Sequence, residues 1–255
     1  MRSALSITFL LYTFALSPLG AQIWPGGRYT FTGGPDGSVP QGPVVATSKA
    51  DFFYGTTMYG GAYGGGTIFR VSPGPYPVST WGCLVAHSFS ITGSGRANGT
   101  YPTGSLILDA AGNIYGIAAG GNSCSAALPN GCGVVYELSS AVTALYRFRG
   151  GADRANPVGG LAWDTTGSLY GVTNHGGTSN KGVIFKLAPP VTTGGPWTES
   201  VLYSFQPSSG AQAGGALGYR RPRRFVRGDA GGRSIWTRHR LPTDPAHSSR
   251  WHMEF

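Results

Sequence analysis

Charged side chains are scarce in this sequence. Only 11% of its 255 residues are Asp, Glu, Lys or Arg, against about a quarter in a typical globular protein. Nucleophile elbows of the G-x-S-x-G type, zinc-binding helix signatures and phosphate-binding loops do not occur. We therefore assign no catalytic residue, no metal ligand and no cofactor. Nothing after residue 21 is apolar for long enough to predict a membrane span.

Glycine, proline and aromatic residues are abundant instead. The chain has 43 Gly and 18 Pro, which together approach the level typical of low-complexity sequence. Aromatic residues make up 12% of the chain and supply enough large apolar side chains to offset the entropy of ordering it. Low charge, frequent Gly and regularly spaced aromatics favour short strands joined by tight turns.

The first 21 residues have the features of a secretory signal peptide. Arg2 gives a positive start, residues 5–16 are mainly apolar, and "SPLGA" offers small residues for cleavage after Ala21. The alternative is a transmembrane anchor, for which the apolar run is short. We expect a secreted, extracellular or cell-surface protein without a membrane span after cleavage.

Export would place the three cysteines in an oxidising compartment, where disulfides can form. In an oxidising compartment, Cys124 and Cys132 could form a disulfide across the seven intervening residues "SAALPNG". A bridge that involves Cys83, or free thiols, are the alternatives. The spacing is not that of a zinc site, because no further Cys or His pair accompanies it.

A motif that ends in Phe recurs through the chain. The segments "RYTF", "AHSF", "LYRF" and "LYSF" end at Phe31, Phe89, Phe148 and Phe205, at intervals of 58, 59 and 57 residues. Each interval contains four strand-sized pieces in a constant order, grading from an apolar strand to one that alternates between apolar and polar residues. A unit of this kind must pack on its neighbours to bury its faces.

This pattern predicts an all-β fold. We expect a propeller-like array of about three four-stranded antiparallel blades over residues 22 to about 210, with no helix longer than about two turns. Propellers usually close with four or more blades. Three blades should therefore leave an open arc.

The segments "DAAGN" and "DTTGS" predict hairpin turns. Asp109 and Asp164 can accept hydrogen bonds from the turn backbone, and Gly112 and Gly167 can adopt the positive φ that completes the turn. Calcium ligands or catalytic acids are the alternative for these carboxylates. The first copy has Ser48 at this position, which favours the turn interpretation.

Three glycines lie inside predicted strands, at Gly55, Gly116 and Gly171. Such glycines mark a bulge or a close backbone approach, and we expect them where backbones crowd a common axis. Of the histidines, His87 occupies the place of a Tyr in the other Phe segments, which predicts a packed ring. His175 lies in a Gly-rich loop, which predicts a solvated side chain.

The combined motifs resemble a known repeat. "GNIYGIAAGG" and "GSLYGVTNHGG", followed by "GVVYEL" and "GVIFKL", are similar to the GloVer tandem repeat of exported bacterial proteins with a choice of surface anchors. The resemblance spans residues 29–217. It implies an extracellular or surface-attached protein with propeller-like repeats, and it brings no catalytic residues. The first copy departs from the pattern at residues 48–52, and no anchor segment is visible.

The repeat pattern stops near residue 217, which gives three predicted segments: a signal peptide at 1–21, a β-repeat domain at 22–217 and a basic tail at 218–255. Nine of the sixteen Arg lie in the last 45 residues. A reading-frame slip, a basic arm and a divergent repeat are the alternatives, and we favour the first. We expect the tail to lack stable packing and the strand at residues 29–31 to lack its partner, which would promote self-association.

Two classes of function remain open. The first is a non-catalytic exported protein that binds a polymer or a protein partner, but not nucleic acid, through exposed Tyr and Trp. The second is a propeller hydrolase or lyase acting on carbohydrate or lactone, which would need acids gathered at one mouth of the axis. Several carboxylates around one metal would favour the second class, and the candidates are Asp36, Asp51, Asp109, Asp153 and Asp164.

Overall fold

The protein has an all-β fold, as predicted. The computed structural model describes residues 6–8, 28–47, 52–73, 81–121, 124, 130–150, 155–207, 217–219 and 251–253. Within these ranges the regular structure is β-strand, apart from a short 3-10 helix at Gly93–Asn98. The same ranges contain no helix with the length and apolar character needed to cross a membrane.

The main body consists of three four-stranded units, which follow two short strands, β1 (Ser6–Thr8) and β2 (Arg28–Thr30). Unit 1 is made of β3 (Ser38–Ala46), β4 (Phe53–Tyr59), β5 (Gly64–Pro73) and β6 (Trp81–Ser90). Unit 2 is made of β7 (Thr100–Leu108), β8 (Ile114–Gly120), β9 (Val134–Leu138) and β10 (Val142–Arg147). Unit 3 is made of β11 (Ala155–Trp163), β12 (Leu169–His175), β13 (Val183–Ala188) and β14 (Thr198–Ser204).

Each unit is an antiparallel meander in which the strands pair in chain order. This is the four-stranded unit expected from the repeat. One feature differs from the expectation of individual blades, because a parallel bridge between Ser105 and Gly160 joins the first strands of units 2 and 3. Those two units therefore form one eight-stranded sheet, while unit 1 forms a sheet of four strands.

The core lies between neighbouring units, and the repeating Phe residues are central to it. Phe89 at the end of unit 1 packs on Tyr136 of unit 2, with ring centroids 5.2 Å apart. Phe148 at the end of unit 2 packs in the same way on Phe185 of unit 3, at 5.3 Å. All four side chains are almost fully buried. We call these contacts the inter-unit ring pairs. They explain the near-constant interval between Phe residues, because each pair fixes one unit on the next.

The predicted Asp turns are confirmed. The Asp109 carboxylate accepts hydrogen bonds from the backbone N–H of Asn113, at 2.9 Å, and from the Asn113 side chain, at 2.8 Å. Asp164 accepts from the backbone N–H groups of Thr166 and Ser168, at 2.8 and 2.9 Å. The turn glycines have φ values of 93° and 80°, in the left-handed region. The two carboxylates thus stabilise their own hairpins.

Gly55, Gly116 and Gly171 each lie opposite the register shift in the first strand of their unit, so the predicted association with a bulge is confirmed. The expected crowding of backbones is not what lies nearest to them, because the first atoms that a Cβ would meet at each position belong to an aromatic side chain of the adjacent strand. In register, Gly116 faces Tyr136 and Gly171 faces Phe185, and a Cβ atom at either glycine would overlap that ring. The glycines therefore make room for the rings of the inter-unit ring pairs.

Both ends of the repeat carry short additional strands. The strand β2 pairs antiparallel with β1 and belongs to neither of the large sheets. It therefore lacks a blade partner, as expected, but the expectation of an unpaired edge is wrong for the full chain. At the other end, β15 (Leu217–Tyr219) pairs in parallel with β16 (Trp251–Met253) and contacts β11 and β12. The rest of the predicted basic tail, and most of the predicted signal peptide, lie outside the described residues.

Candidate functional site

The first strand of every unit begins with the same strained backbone. Val39, Tyr101 and Asn156 have φ values of 55°, 58° and 53°, a region that non-glycine residues rarely adopt and that is unusual for Val and Tyr. Each of the three precedes a proline in an X-Pro-X-Gly sequence: "VPQG", "YPTG" and "NPVG". The repetition of this conformation in three units indicates that the fold imposes it.

Close packing of the first strands accounts for the strain. A Cβ atom on Gly42 would lie 2.7 Å from the carbonyl carbon of Gly104, and one on Gly104 would lie 2.6 Å from that of Gly159. The backbones of β3, β7 and β11 therefore meet at these glycines. Each of these strands also has a register shift against its neighbour shortly after the proline. The crowding predicted from the sequence exists, but it occurs at these glycines.

Buried threonines fix the loops that lie beside the strained residues. The Thr57 hydroxyl donates to the carbonyl of Tyr59 at 3.1 Å and accepts from the N–H of Thr67 at 3.2 Å. In unit 3, Thr173 bonds in the same way to the carbonyl of His175, at 2.8 Å. Both threonines are fully buried. Their hydrogen bonds therefore fix the loop that follows the second strand in units 1 and 3.

Unit 2 fixes the equivalent loop by a different means. A disulfide joins Cys124 to Cys132, with 5.8 Å between the Cα atoms, and Ala118 takes the place of the threonine. The carbonyl of Cys132 accepts a hydrogen bond from the N–H of Asn156, at 2.9 Å. The loop of unit 2 is therefore anchored directly to the strained residue of unit 3. Cys83 is a free thiol in the structure.

The starts of the three first strands lie at the same end of the molecule, because these strands meet at Gly42, Gly104 and Gly159. The register places Tyr59 opposite Ser38 in unit 1 and His175 opposite Ala155 in unit 3, so each lies beside a strained residue. We call this set the end-face cluster, which consists of Val39, Tyr59, Tyr101, Asn156 and His175. Tyr59 is 44% exposed and Val39 is 40% exposed.

Tyr101 contacts Tyr59 of unit 1 and lies beside Gly120 of its own unit. Its ring lies 5.4 Å from that of Tyr59 in an edge-to-face arrangement. Within unit 2, a Cβ atom on Gly120 would come within 2.9 Å of the Tyr101 ring. The absence of a side chain at Gly120 therefore leaves room for this ring. Sequence reasoning missed the cluster, although the three X-Pro-X-Gly segments were a visible signal for it.

Asp109 and Asp164, the carboxylates of the two turns, do not lie at the end-face cluster. Asp109 follows the end of β7, whereas Tyr101 lies at its start, so the two occupy opposite ends of the strand. Burial alone would raise the pKa of Asp164, but hydrogen bonds from Thr166, Ser168 and Tyr170 outweigh it and lower the pKa to about 2. This carboxylate is therefore ionised at neutral pH and engaged in its turn.

Asp36, like Asp109 and Asp164, accepts hydrogen bonds from residues close to it in the chain. It accepts hydrogen bonds from the N–H of Thr32 at 2.9 Å and from the hydroxyl of Tyr29 at 3.0 Å.

Burial raises the pKa of the neighbouring Cys83 thiol, which disfavours a reactive thiolate. The described residues contain no group of three His, Cys, Asp or Glu side chains placed to hold a metal ion. Asp51 and Asp153 lie outside the described residues.

The two candidate histidines differ in their surroundings. His87 packs edge-on against Phe89 with ring centroids 4.7 Å apart, which confirms the predicted packed ring. Burial lowers the pKa of His87. His175 is partly exposed at the end of β12 and belongs to the end-face cluster.

Three consecutive four-stranded meanders, fixed on each other by the same pair of rings, define a tandem β-repeat protein. A family model described as the Gloeobacter/Verrucomicrobia repeat matches residues 13–222. The chain belongs to this family, in agreement with the resemblance drawn from its motifs. Comparison with curated proteins gives no match.

Proposed function

We propose that the chain is an exported, non-catalytic β-repeat protein that binds a ligand at its end-face cluster. The observation that carries the proposal is the contact between the rings of Tyr59 and Tyr101, from adjacent units, at the end of the molecule where the first strands converge; Tyr59 is 44% exposed there. Exposed aromatic residues on a rigid scaffold are typical of binding surfaces. Proteins that bind without catalysis need such a surface but no set of acids, which agrees with the engagement of Asp109 and Asp164 in turns.

A propeller-like arrangement of the units is part of the same proposal. Three features support it: the four-stranded meanders, the contacts between successive first strands, and the packing of each unit on the next. In propellers the innermost strands surround an axis, and the end-face cluster would lie at one mouth of that axis.

Export is proposed from the apolar segment and the small residues that end at Ala21. The test is to express the full chain with a C-terminal tag in a bacterium and to measure the mass of the protein in each cell fraction. We expect an exported product that begins at Gln22. The control variant carries Leu10→Arg and Leu11→Arg, which should abolish cleavage. An uncleaved wild-type protein in the cytoplasm would refute the proposal.

Cleavage would also remove the partner of β2, because β1 lies within the proposed signal peptide. An exposed strand edge favours association between chains. We therefore expect the chain that starts at Gln22 to form dimers or larger species through residues 28–30. Sedimentation at several concentrations tests this; Thr30→Pro should shift the mixture towards monomer, and a monomeric parent chain would contradict the expectation.

A further inference from the structure

The units present different side chains on the same backbone. At the strained position, unit 1 has Val39, unit 2 has Tyr101 and unit 3 has Asn156, with φ values within a few degrees of each other. Such a conformation is costly for Val and Tyr, but the crowded first strands impose it in all three units. The fold therefore determines where these side chains lie, and the residue type determines what they contact.

Aromatic surface is concentrated between units 1 and 2. Tyr101 contacts the Tyr59 ring and lies close to Gly120, so these neighbours restrict its ring before any ligand binds. Tyr59 remains 44% exposed. A ring that is fixed in advance loses less conformational entropy on binding than a mobile side chain does.

Neutral polar groups lie on the unit 3 side. Asn156 can donate and accept hydrogen bonds through its amide, and His175 can do so through its imidazole. The five residues of the end-face cluster include no Lys, Arg, Asp or Glu. This composition disfavours nucleic acid and other polyanions, which are bound mainly by Lys and Arg. It suits a ligand that combines apolar faces with many uncharged hydroxyl groups.

We propose that the end-face cluster binds a neutral carbohydrate chain. Tyr59 and Tyr101 pack against the C–H faces of the sugar rings, and Asn156 and His175 form hydrogen bonds with sugar hydroxyls. This inference rests on the proposed binding function and adds the ligand class and the residues that recognise it.

The test uses affinity electrophoresis of the full chain in native gels that contain laminarin, xyloglucan or galactomannan, with polygalacturonate as the anionic comparison. We expect at least one neutral polysaccharide to retard the protein through Tyr59 and Tyr101, whereas polygalacturonate should act through the net charge of +9 and be insensitive to the loss of either ring. Tyr59→Ala should weaken the apparent affinity by about tenfold or more, as for a central aromatic contact. The matched control is Tyr63→Ala, because Tyr63 is 62% exposed in the same loop but lies beside Ile91.

Tyr101→Asn is the second variant. Asn tolerates the left-handed backbone and already occupies this position in unit 3, so the variant removes the ring and keeps the conformation. It should weaken binding by at least as much as Tyr59→Ala, with an unchanged thermal melting curve.

The outcomes separate this inference from the proposed function. Retardation that is equal in wild type, Tyr59→Ala and Tyr101→Asn overturns the assignment of the site, while binding itself stands. Retardation only by polygalacturonate, or by none of the polysaccharides, overturns the carbohydrate assignment, whereas export is measured independently. Equal losses in Tyr63→Ala and Tyr59→Ala would show that binding is not specific to the end-face cluster and would also overturn the assignment.

Discussion

Replacement of Tyr136 by Phe should stabilise the protein. Tyr136 is 0% exposed, and its hydroxyl group has no hydrogen-bond partner in the described part of the structure. The hydroxyl lies over Gly116 and near Leu106. Burial raises the pKa of Tyr136 well above its usual value. Units 1 and 3 have Phe69 and Phe185 at the same position, so the fold accepts a ring without the hydroxyl.

The expected gain follows from the cost of an unsatisfied buried group. Leaving a buried donor or acceptor without a partner costs about 1–3 kcal/mol. Removing the oxygen leaves a small void that offsets part of this gain. We therefore expect the Tyr136→Phe variant to gain about 1–2 kcal/mol in the free energy of unfolding, which corresponds to a rise in Tm of about 2–8 °C for a domain of this size.

Urea denaturation followed by circular dichroism measures this gain. The midpoint should rise while the m value stays constant, since the exposed area on unfolding hardly changes. The reciprocal control is Phe185→Tyr, which would place a hydroxyl beside Gly171 and Leu161 and should lower the midpoint. If Tyr136→Phe lowers the midpoint, the hydroxyl has a stabilising partner and the reasoning is wrong.

Three further perturbations probe other contacts. Gly171→Ala should cost about 1–3 kcal/mol because its Cβ would overlap the Phe185 ring, whereas Gly82→Ala, with no atom within 4 Å of its Cβ, should leave the thermal melt unchanged. Since the pKa of Asp164 falls from 3.8 unfolded to about 2 folded, its stabilisation is complete above about pH 4 and is lost towards pH 2. The Asp164→Asn variant should therefore be less stable than wild type at pH 7, and its free energy of unfolding should change less between about pH 4 and pH 2. An unchanged pH dependence of the free energy of unfolding would contradict this. Cys124→Ser should cost about 2 kcal/mol, and alkylation of the unreduced, unfolded wild type should modify one cysteine of three; three modified cysteines would exclude the disulfide.

The repeat and its hairpins could be predicted from the sequence because their causes are local. The spacing of Phe89 and Phe148 revealed the period, and Asp109 and Asp164 identified two turns through side-chain bonds to the nearby backbone. The purpose of Gly116 could not be predicted in this way. The ring that covers it comes from residue 136, and the contact depends on the pairing of β8 with β9.

The end-face cluster was missed for a different physical reason. Local rules favour extended backbone for the residue before a proline, and they disfavour a left-handed Val or Tyr. Contacts between units override both preferences at Val39 and Tyr101. Tertiary strain of this kind has no signature within one unit, and only the comparison of three X-Pro-X-Gly segments could have indicated it.

The inter-unit ring pairs have an evolutionary consequence. Units 1 and 2 each end with a Phe that packs on the following unit, and every unit contains, in its third strand, the ring that receives the Phe preceding the unit. A gene duplication that copies a whole unit therefore copies both halves of the contact. The new junctions on either side of the inserted copy are chemically the same as the old ones. Arrays of this design can lengthen or shorten by recombination without compensating substitutions at the junctions.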